Sequence, residues 1–292
     1  MVQAQGSYYL PKPSYWPLVG SIGLFLTLGG FAYALVNKTD AGMGNMTAMY
    51  VGMAVIVFML FGWFGTVIRE SQAGKFNDQV DVTFRMAMAW FIFSEVMFFA
   101  AFFGALFYAR QLSVPWLGGA GNNAMTNELL YPGYTAAWPT NGPGEVGGKF
   151  ETIGAWGIPF YNTLILLSSG VTVTWAHWGL KKGNRAQLIL GLLATVVLGF
   201  TFLGFQAHEY FEAYTHYNLK LTSGIYGSTF FMLTGFHGLH VTLGATMLTV
   251  ILIRCIKGHF TAKHHFAFEA VAWYWHFVDV VWLGLFIFVY WL

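Results

Sequence analysis

A chain of 292 residues that is 57% hydrophobic and 19% aromatic but only 9% charged is not an ordinary soluble protein, in which roughly 25% of residues are charged. The formal net charge of +2 is too small to mark a nucleic-acid partner, and the basic residues fall in short clusters between apolar runs. A single cysteine, Cys255, excludes an internal disulfide or a zinc site built of cysteines.

Residues 1–15 hold one lysine and two prolines without an apolar stretch, so they read as a cytoplasmic N-terminal segment and not as a signal or transit peptide. Apolar segments follow at 16–36, 47–68, 86–109, 154–180, 186–207, 225–253 and 266–292, each near or above the ~20 residues that a membrane span needs. Seven transmembrane helices are expected, the fifth continuing as helix to about Tyr214. Between the third and fourth lies the stretch 111–153, rich in Gly, Pro, Asn and Thr. Its irregular backbone would be unsatisfied in hydrocarbon, so it is expected as an external loop. No internal repeat supports a solenoid or an inverted-repeat transporter.

Lys and Arg are retained on the cytoplasmic side of a membrane protein. The side of the N-terminus holds ten: Lys12, Arg69, Lys75, Arg85, Lys181, Lys182, Arg185, Arg254, Lys257 and Lys263. The other side holds four: Lys38, Arg110, Lys149 and Lys220. An N-terminus inside and a C-terminus outside follow, which requires an odd number of spans and agrees with seven.

Polar residues within the spans are costly and informative. Glu95 is ten residues from Arg85 and fifteen from Arg110, which at about 1.5 Å per residue places it near mid-membrane. Its helical neighbours Phe91, Ile92, Phe98 and Phe99 offer no cation, so it reads as a proton-exchanging or lipid-contacting carboxyl, or as a neutral acid hydrogen-bonded to another helix. Glu269 and His276 lie nearly on one helix face with Asp279 one turn on, and with His237 form a polar set expected to face protein and hold helices together. Glu209 and Glu212 are expected as solvated or capping surface groups. His237 and His240 have a three-residue spacing that could put two ligands on one face, but they lack an attachment string or an opposed partner for haem. No metal site is expected on the chain. His259, His264 and His265 adjoin Arg254, Lys257 and Lys263, and read as a basic cluster at anionic lipid.

Several strings are long enough to carry a resemblance: Phe-Ile-Phe-Ser-Glu-Val-Met-Phe-Phe at 91–99, Thr-Trp-Ala-His at 174–177, Gly-Ser-Thr-Phe-Phe at 227–231, Gly-Phe-His-Gly-Leu-His-Val at 235–241, His-His-Phe-Ala-Phe-Glu-Ala at 264–270, and Trp-Tyr-Trp-His-Phe-Val-Asp-Val-Val-Trp at 273–282. In order and over essentially the whole chain, they resemble cytochrome c oxidase subunit III. The resemblance implies an all-α membrane protein in which helices 1–2 (16–70) lean away from helices 3–7 (71–292), forming a V-shaped cleft that holds phospholipids. It implies no redox centre on this chain, with haem and copper carried by partner subunits. It further implies direct packing on the catalytic subunit I, contact with subunit II and other oxidase subunits, support of proton uptake, protection of subunit I during turnover, and a lipid-lined oxygen route. The family's reactive carboxyl falls on Glu95, and its lipid contacts on Trp63, Arg69, Glu95, His240, Arg254 and His259. Where family members commonly carry Trp-Arg, this chain has Phe64 and Gly65, so one phosphate contact is missing or comes from Lys75 or another subunit. The long external loop and the look of the strings suggest the bacterial type, in a bacterial plasma membrane. The alternatives are subunit III of a quinol oxidase, in which the first two helices are often absent, and a self-contained proton channel built around Glu95.

Overall fold

The computed structural model of the chain describes residues 8–39 and 42–292. It divides into two compact units, Met1–Phe84 and Arg85–Leu292.

In the first unit, α1 (Trp16–Val36) packs along α2 (Thr47–Gln72). Glycine makes the approach possible: a side chain at Gly30 would fall on the backbone of Ala48 and Met49, and one at Gly52 on that of Thr27. The indole of Trp16 lies over Gly62 and donates to Thr66 Oγ1 at 3.4 Å. At the same end, Tyr9 donates to Glu70 Oε1 at 3.0 Å.

The third helix, α3 (Asp78–Tyr108), begins well before the apolar run that announces it. Asn77 Oδ1 accepts from the Val80 amide at 3.0 Å, and Asp78 and Asp81 occupy the first turn, where the helix dipole favours negative charge. These polar turns carry helix without hydropathy. At the other end α3 runs through a π-helical turn (Ala109–Ser113) into α4 (Val114–Leu117), followed by α5 (Ala124–Leu130). The expected loop at 111–153 therefore opens as helix. Asparagines close the rest: Asn127 Nδ2 donates to the carbonyls of Leu117 and Tyr134 at 3.0 Å, and Asn218, beyond α7, donates from Nδ2 to that of Lys149 at 2.9 Å. These bonds supply the partners that irregular backbone needs.

The core of the second unit is made by α6 (Ile158–Lys181), α7 (Arg185–Thr215), α8 (Gly224–Ile256) and α9 (Phe266–Leu285), the last ending in a π-helical stretch, Phe286–Trp291. Helices α6 and α7 form a hairpin in register over their length. Gly179 meets Leu188, Ala176 meets Gly191, Thr172 Oγ1 lies 2.8 Å from Thr195 Oγ1, and Asn162 Nδ2 donates to the Phe202 carbonyl at 3.4 Å. The fully buried Trp275 and Trp282 donate their indole N–H groups to Ser169 Oγ at 2.8 Å and Thr163 Oγ1 at 2.9 Å, which removes the cost of burying them. Any Cβ at Gly191 would sit 2.8 Å from that of Ala176 and 3.0 Å from its backbone nitrogen. Gly191→Leu is therefore expected to destabilise the hairpin by about 1–3 kcal/mol through overpacking. The check is the thermal midpoint of the purified protein, where an unchanged midpoint would refute close packing here.

Among the described residues, six helical segments are long and apolar enough to cross a membrane by length and composition: Trp16–Val36, Thr47–Gln72, Asp78–Leu117, Arg185–Thr215, Gly224–Ile256 and Phe266–Trp291. Helix α6, although 24 residues long, falls short because it carries Asn162 and a series of hydroxyls. Large apolar side chains such as Phe61, Trp90 and Val171 are about 70% exposed, an outward surface suited to lipid rather than water. The chain is an all-α, largely membrane-spanning bundle of tightly packed helix groups.

Candidate functional site

Glu95 lies on the middle turns of α3, and the fold brings His240 of α8 to it: Nε2 and Oε2 are 2.9 Å apart. The opposite ring nitrogen decides the proton count. His240 Nδ1 is 2.6 Å from the Phe236 carbonyl, which can only accept, so Nδ1 carries its hydrogen. One proton remains to be shared between Nε2 and the carboxyl, giving either a neutral acid beside a neutral imidazole or a carboxylate beside an imidazolium. In both forms the pair is neutral overall, which removes the several kcal/mol that an isolated buried carboxylate costs. Phe99 packs edge-on against the imidazole at 5.0 Å between centroids, and Tyr274 stacks on it at 6.3 Å. The pair is largely shielded, with side-chain exposures of 21% for Glu95 and 11% for His240.

A second polar centre lies where the basic ends of α3, α6 and α9 meet. Arg85 forms an ion pair with Glu269 Oε2. Glu269 Oε1 is 3.2 Å from His265 Nε2 and 3.6 Å from His177 Nε2, and the two Nε2 atoms are 3.3 Å apart. His265 Nδ1 donates to the Thr261 carbonyl at 3.1 Å, which leaves its Nε2 as an acceptor when the ring is neutral; a proton on His177 Nε2 then joins the rings. These three separations also approximate the ~3.3–3.4 Å edges of a tetrahedron around an ion with bonds of about 2.0–2.1 Å, so the trio could hold a divalent cation such as zinc. Arg85 and the Thr261 carbonyl would then orient the ligands from behind. The sequence did not bring these three residues together, because His177 stands 88 residues from His265. His265 is 7% exposed and turns into the cluster, not to lipid; Glu269 four residues after it was the available signal.

The remaining polar residues are distributed differently from the expected single stripe. His237 is fully buried, its Nε2 3.1 Å from the Val278 carbonyl. Asp279 is buried, while His276 is half exposed on the outer surface of the bundle. The residues matched to lipid contacts fall in both units. In the first, Trp63 and Arg69 are exposed, and Arg69 donates to Thr66 Oγ1 at 3.1 Å. In the second, Arg254 is 8% exposed with its guanidinium 4.3 Å over the Phe260 ring, and its Nε has no partner among the described residues. Partial burial, and then the charges of Arg254 and Lys257, hold the His259 imidazole below its ordinary pKa.

Glu209 corrects the surface reading given above. It is 2% exposed, and its Oε1 accepts from Tyr290 Oη at 2.6 Å. Helix α7 extends to Thr215, so Glu209 lies within the bundle, beneath the π-helical end of α9.

These features define an integral-membrane helical subunit whose polar chemistry is a deep carboxyl–imidazole pair and a charged cluster near one membrane face. A family model described as cytochrome c oxidase subunit III matches residues 6–129 and 131–292. Proteins named cytochrome c oxidase subunit 3 are similar over nearly their full length: that of Marchantia polymorpha is 43% identical, with 99% of this chain and 98% of the relative covered. That of Homo sapiens is 40% identical (100% and 99% covered) and that of Arabidopsis thaliana 41% (100% and 98%). The chain belongs to the cytochrome c oxidase subunit III family, the membrane-embedded, non-catalytic subunits of an aerobic oxidase. These relatives are eukaryotic, and they align along residues 111–153 as well. The expectation of a bacterial-type protein in a bacterial plasma membrane, with a cytoplasmic N-terminus and a periplasmic C-terminus, is thereby corrected, and a mitochondrial inner membrane is indicated. Loop length is not a compartment signal.

Proposed function

We propose that this chain supports the oxygen-reducing, proton-pumping subunit I of a cytochrome c oxidase from within the membrane, holding structural phospholipids and assisting proton delivery while the haem and copper reside on its partners. The observation that carries this reading is the Glu95–His240 pair, in which a deep carboxyl is neutralised by one shared proton and set among aromatic rings. Within such a pair a proton can move between Oε2 and Nε2 without a net charge appearing in the bilayer. Lipid headgroups are assigned to Trp63, Arg69, Arg254 and His259 in a V-shaped cleft between a two-helix and a five-helix group; the buried, incompletely bonded Arg254 guanidinium favours an anionic phosphate there. The oxidase's other subunits, subunit II among them, complete the assembly.

The proposed topology has seven crossings, with α6 as the fourth. Its register against α7 from Gly179 to Asn162 supports the same depth for both. Tags at the two ends are therefore expected on opposite faces of the membrane, with Lys12 and Lys181 on one face; protease protection of both tags on the same side would refute seven. For the function, the chain is purified with its partners and the complex examined for haem absorption and oxygen consumption. Co-purification with an active haem-copper complex is expected. Sustained proton flux through the isolated, reconstituted chain would favour the self-contained channel instead.

A further inference from the structure

Halfway along the last helix, polar groups come to an outer surface that is otherwise apolar. Asp279 is thirteen residues from Phe266 and twelve from Trp291, so it lies about 20 Å from either end of that segment. Its Oδ2 occupies the space that a side chain on Gly170 of α6 would fill, and its Oδ1 has no partner among the described residues. His276, one turn earlier, is 46% exposed, with Nδ1 3.8 Å from Asp279 Oδ2 and Nε2 3.2 Å from Thr174 Oγ1. Around it, Val171, Trp175 and Val280 turn outward, between 43% and 70% exposed.

The hydrogen positions follow from the bonds. Thr174 has one hydroxyl hydrogen and gives it to the Gly170 carbonyl at 2.9 Å, so the His276 ring must donate from Nε2 to Thr174. Nδ1 of the neutral ring is then an acceptor, while Asp279 Oδ1 behind it is enclosed within the bundle. Acyl chains contain no donor, and polar side chains in a span ordinarily face protein. We infer that this face of α6 and α9 is covered, in the assembled oxidase, by a transmembrane helix of a neighbouring subunit that brings a hydroxyl or amide donor to the exposed imidazole of His276. The inference rests on the reading of the chain as part of an oxidase complex, and names the face through which it docks.

A photo-reactive benzoylphenylalanine at Val280, on the same face but outside the polar set, tests it in the intact complex. Illumination is expected to join this chain covalently to one other subunit; adducts with lipid or detergent alone would overturn the docking face while co-purification leaves the oxidase reading standing. Failure to co-purify would overturn both. Adding His276→Leu is expected to lower the cross-link yield by about fivefold or more, the effect of one lost interhelical hydrogen bond, and His276→Asn to recover most of it. A yield unchanged in the Leu variant would show that the imidazole anchors nothing. Should the Leu variant be excluded from the complex, entry of the Asn variant supports the anchor and exclusion of the Asn variant as well refutes it.

Discussion

Arg85→Met is expected to destabilise the chain by about 3 kcal/mol, the lower end of the ~3–5 kcal/mol lost when one partner of a buried ion pair is removed. The lower end applies because the Arg85 side chain is 35% exposed, against 12% for Glu269. The damage comes from what remains: Glu269, mostly buried beside the imidazoles of His265 and His177 at 3.2 and 3.6 Å, without its guanidinium partner. Neutralising the carboxyl in the same chain, as Arg85→Met with Glu269→Gln, is expected to recover a substantial part of the loss, a coupling that a double-mutant cycle isolates. The measurement is the thermal midpoint of the detergent-solubilised complex. Equal midpoints for wild type and Arg85→Met would mean that the ion pair contributes nothing.

Glu95→Ala and Glu95→Gln are expected to separate shape from titration. The Ala variant leaves a cavity beside Phe99 and deprives His240 Nε2 of its partner, a combined cost of about 2–4 kcal/mol, and should weaken lipid retention or assembly. Gln retains the volume and can donate its amide to Nε2, since Nδ1 is already committed to Phe236. Oxygen reduction is therefore expected to persist in the Gln variant, with at most a modest change in proton delivery or in lifetime during turnover. Steady-state oxygen consumption, proton release and inactivation rate are measured on assembled complexes. A Gln complex with normal haem content and almost no oxygen reduction would place Glu95 on an obligatory proton path.

The elements most legible in the sequence are those made of uninterrupted apolar side chains: α1 begins and ends where its apolar run does, at Trp16 and Val36. The start of α3 was hidden because Asp78 and Asp81 stabilise a helix end by charge rather than by hydrophobicity. The depth of Glu95 could be counted from Arg85 and Arg110 along one helix, but its bond to His240 spans 145 residues, a juxtaposition that only the fold fixes. The same applies to His177, whose partners arrive from α9. Glu209 was misread because its neighbours His208 and Glu212 look like a solvated helix end, whereas Tyr290 buries one face of that turn. The side of α9 that meets lipid or protein was illegible for another reason: Asp279 fits only because Gly170 opposite it has no side chain.

Helix α6 has a consequence for how the chain enters the bilayer. Thr163, Ser168, Ser169, Thr172 and Thr174 each donate to a carbonyl three or four residues back in their own helix, and Asn162 reaches the Phe202 backbone of α7. Its polarity is thus largely discharged only once it is helical and beside its hairpin partner. A translocation channel that samples segments one at a time would find in α6 a weak candidate for release into lipid, and in α7 a strong one. The turn joining them, residues 182–184, is short enough for the pair to be released together; on the proposed seven-span topology, α6 becomes committed only when α7 has been synthesised.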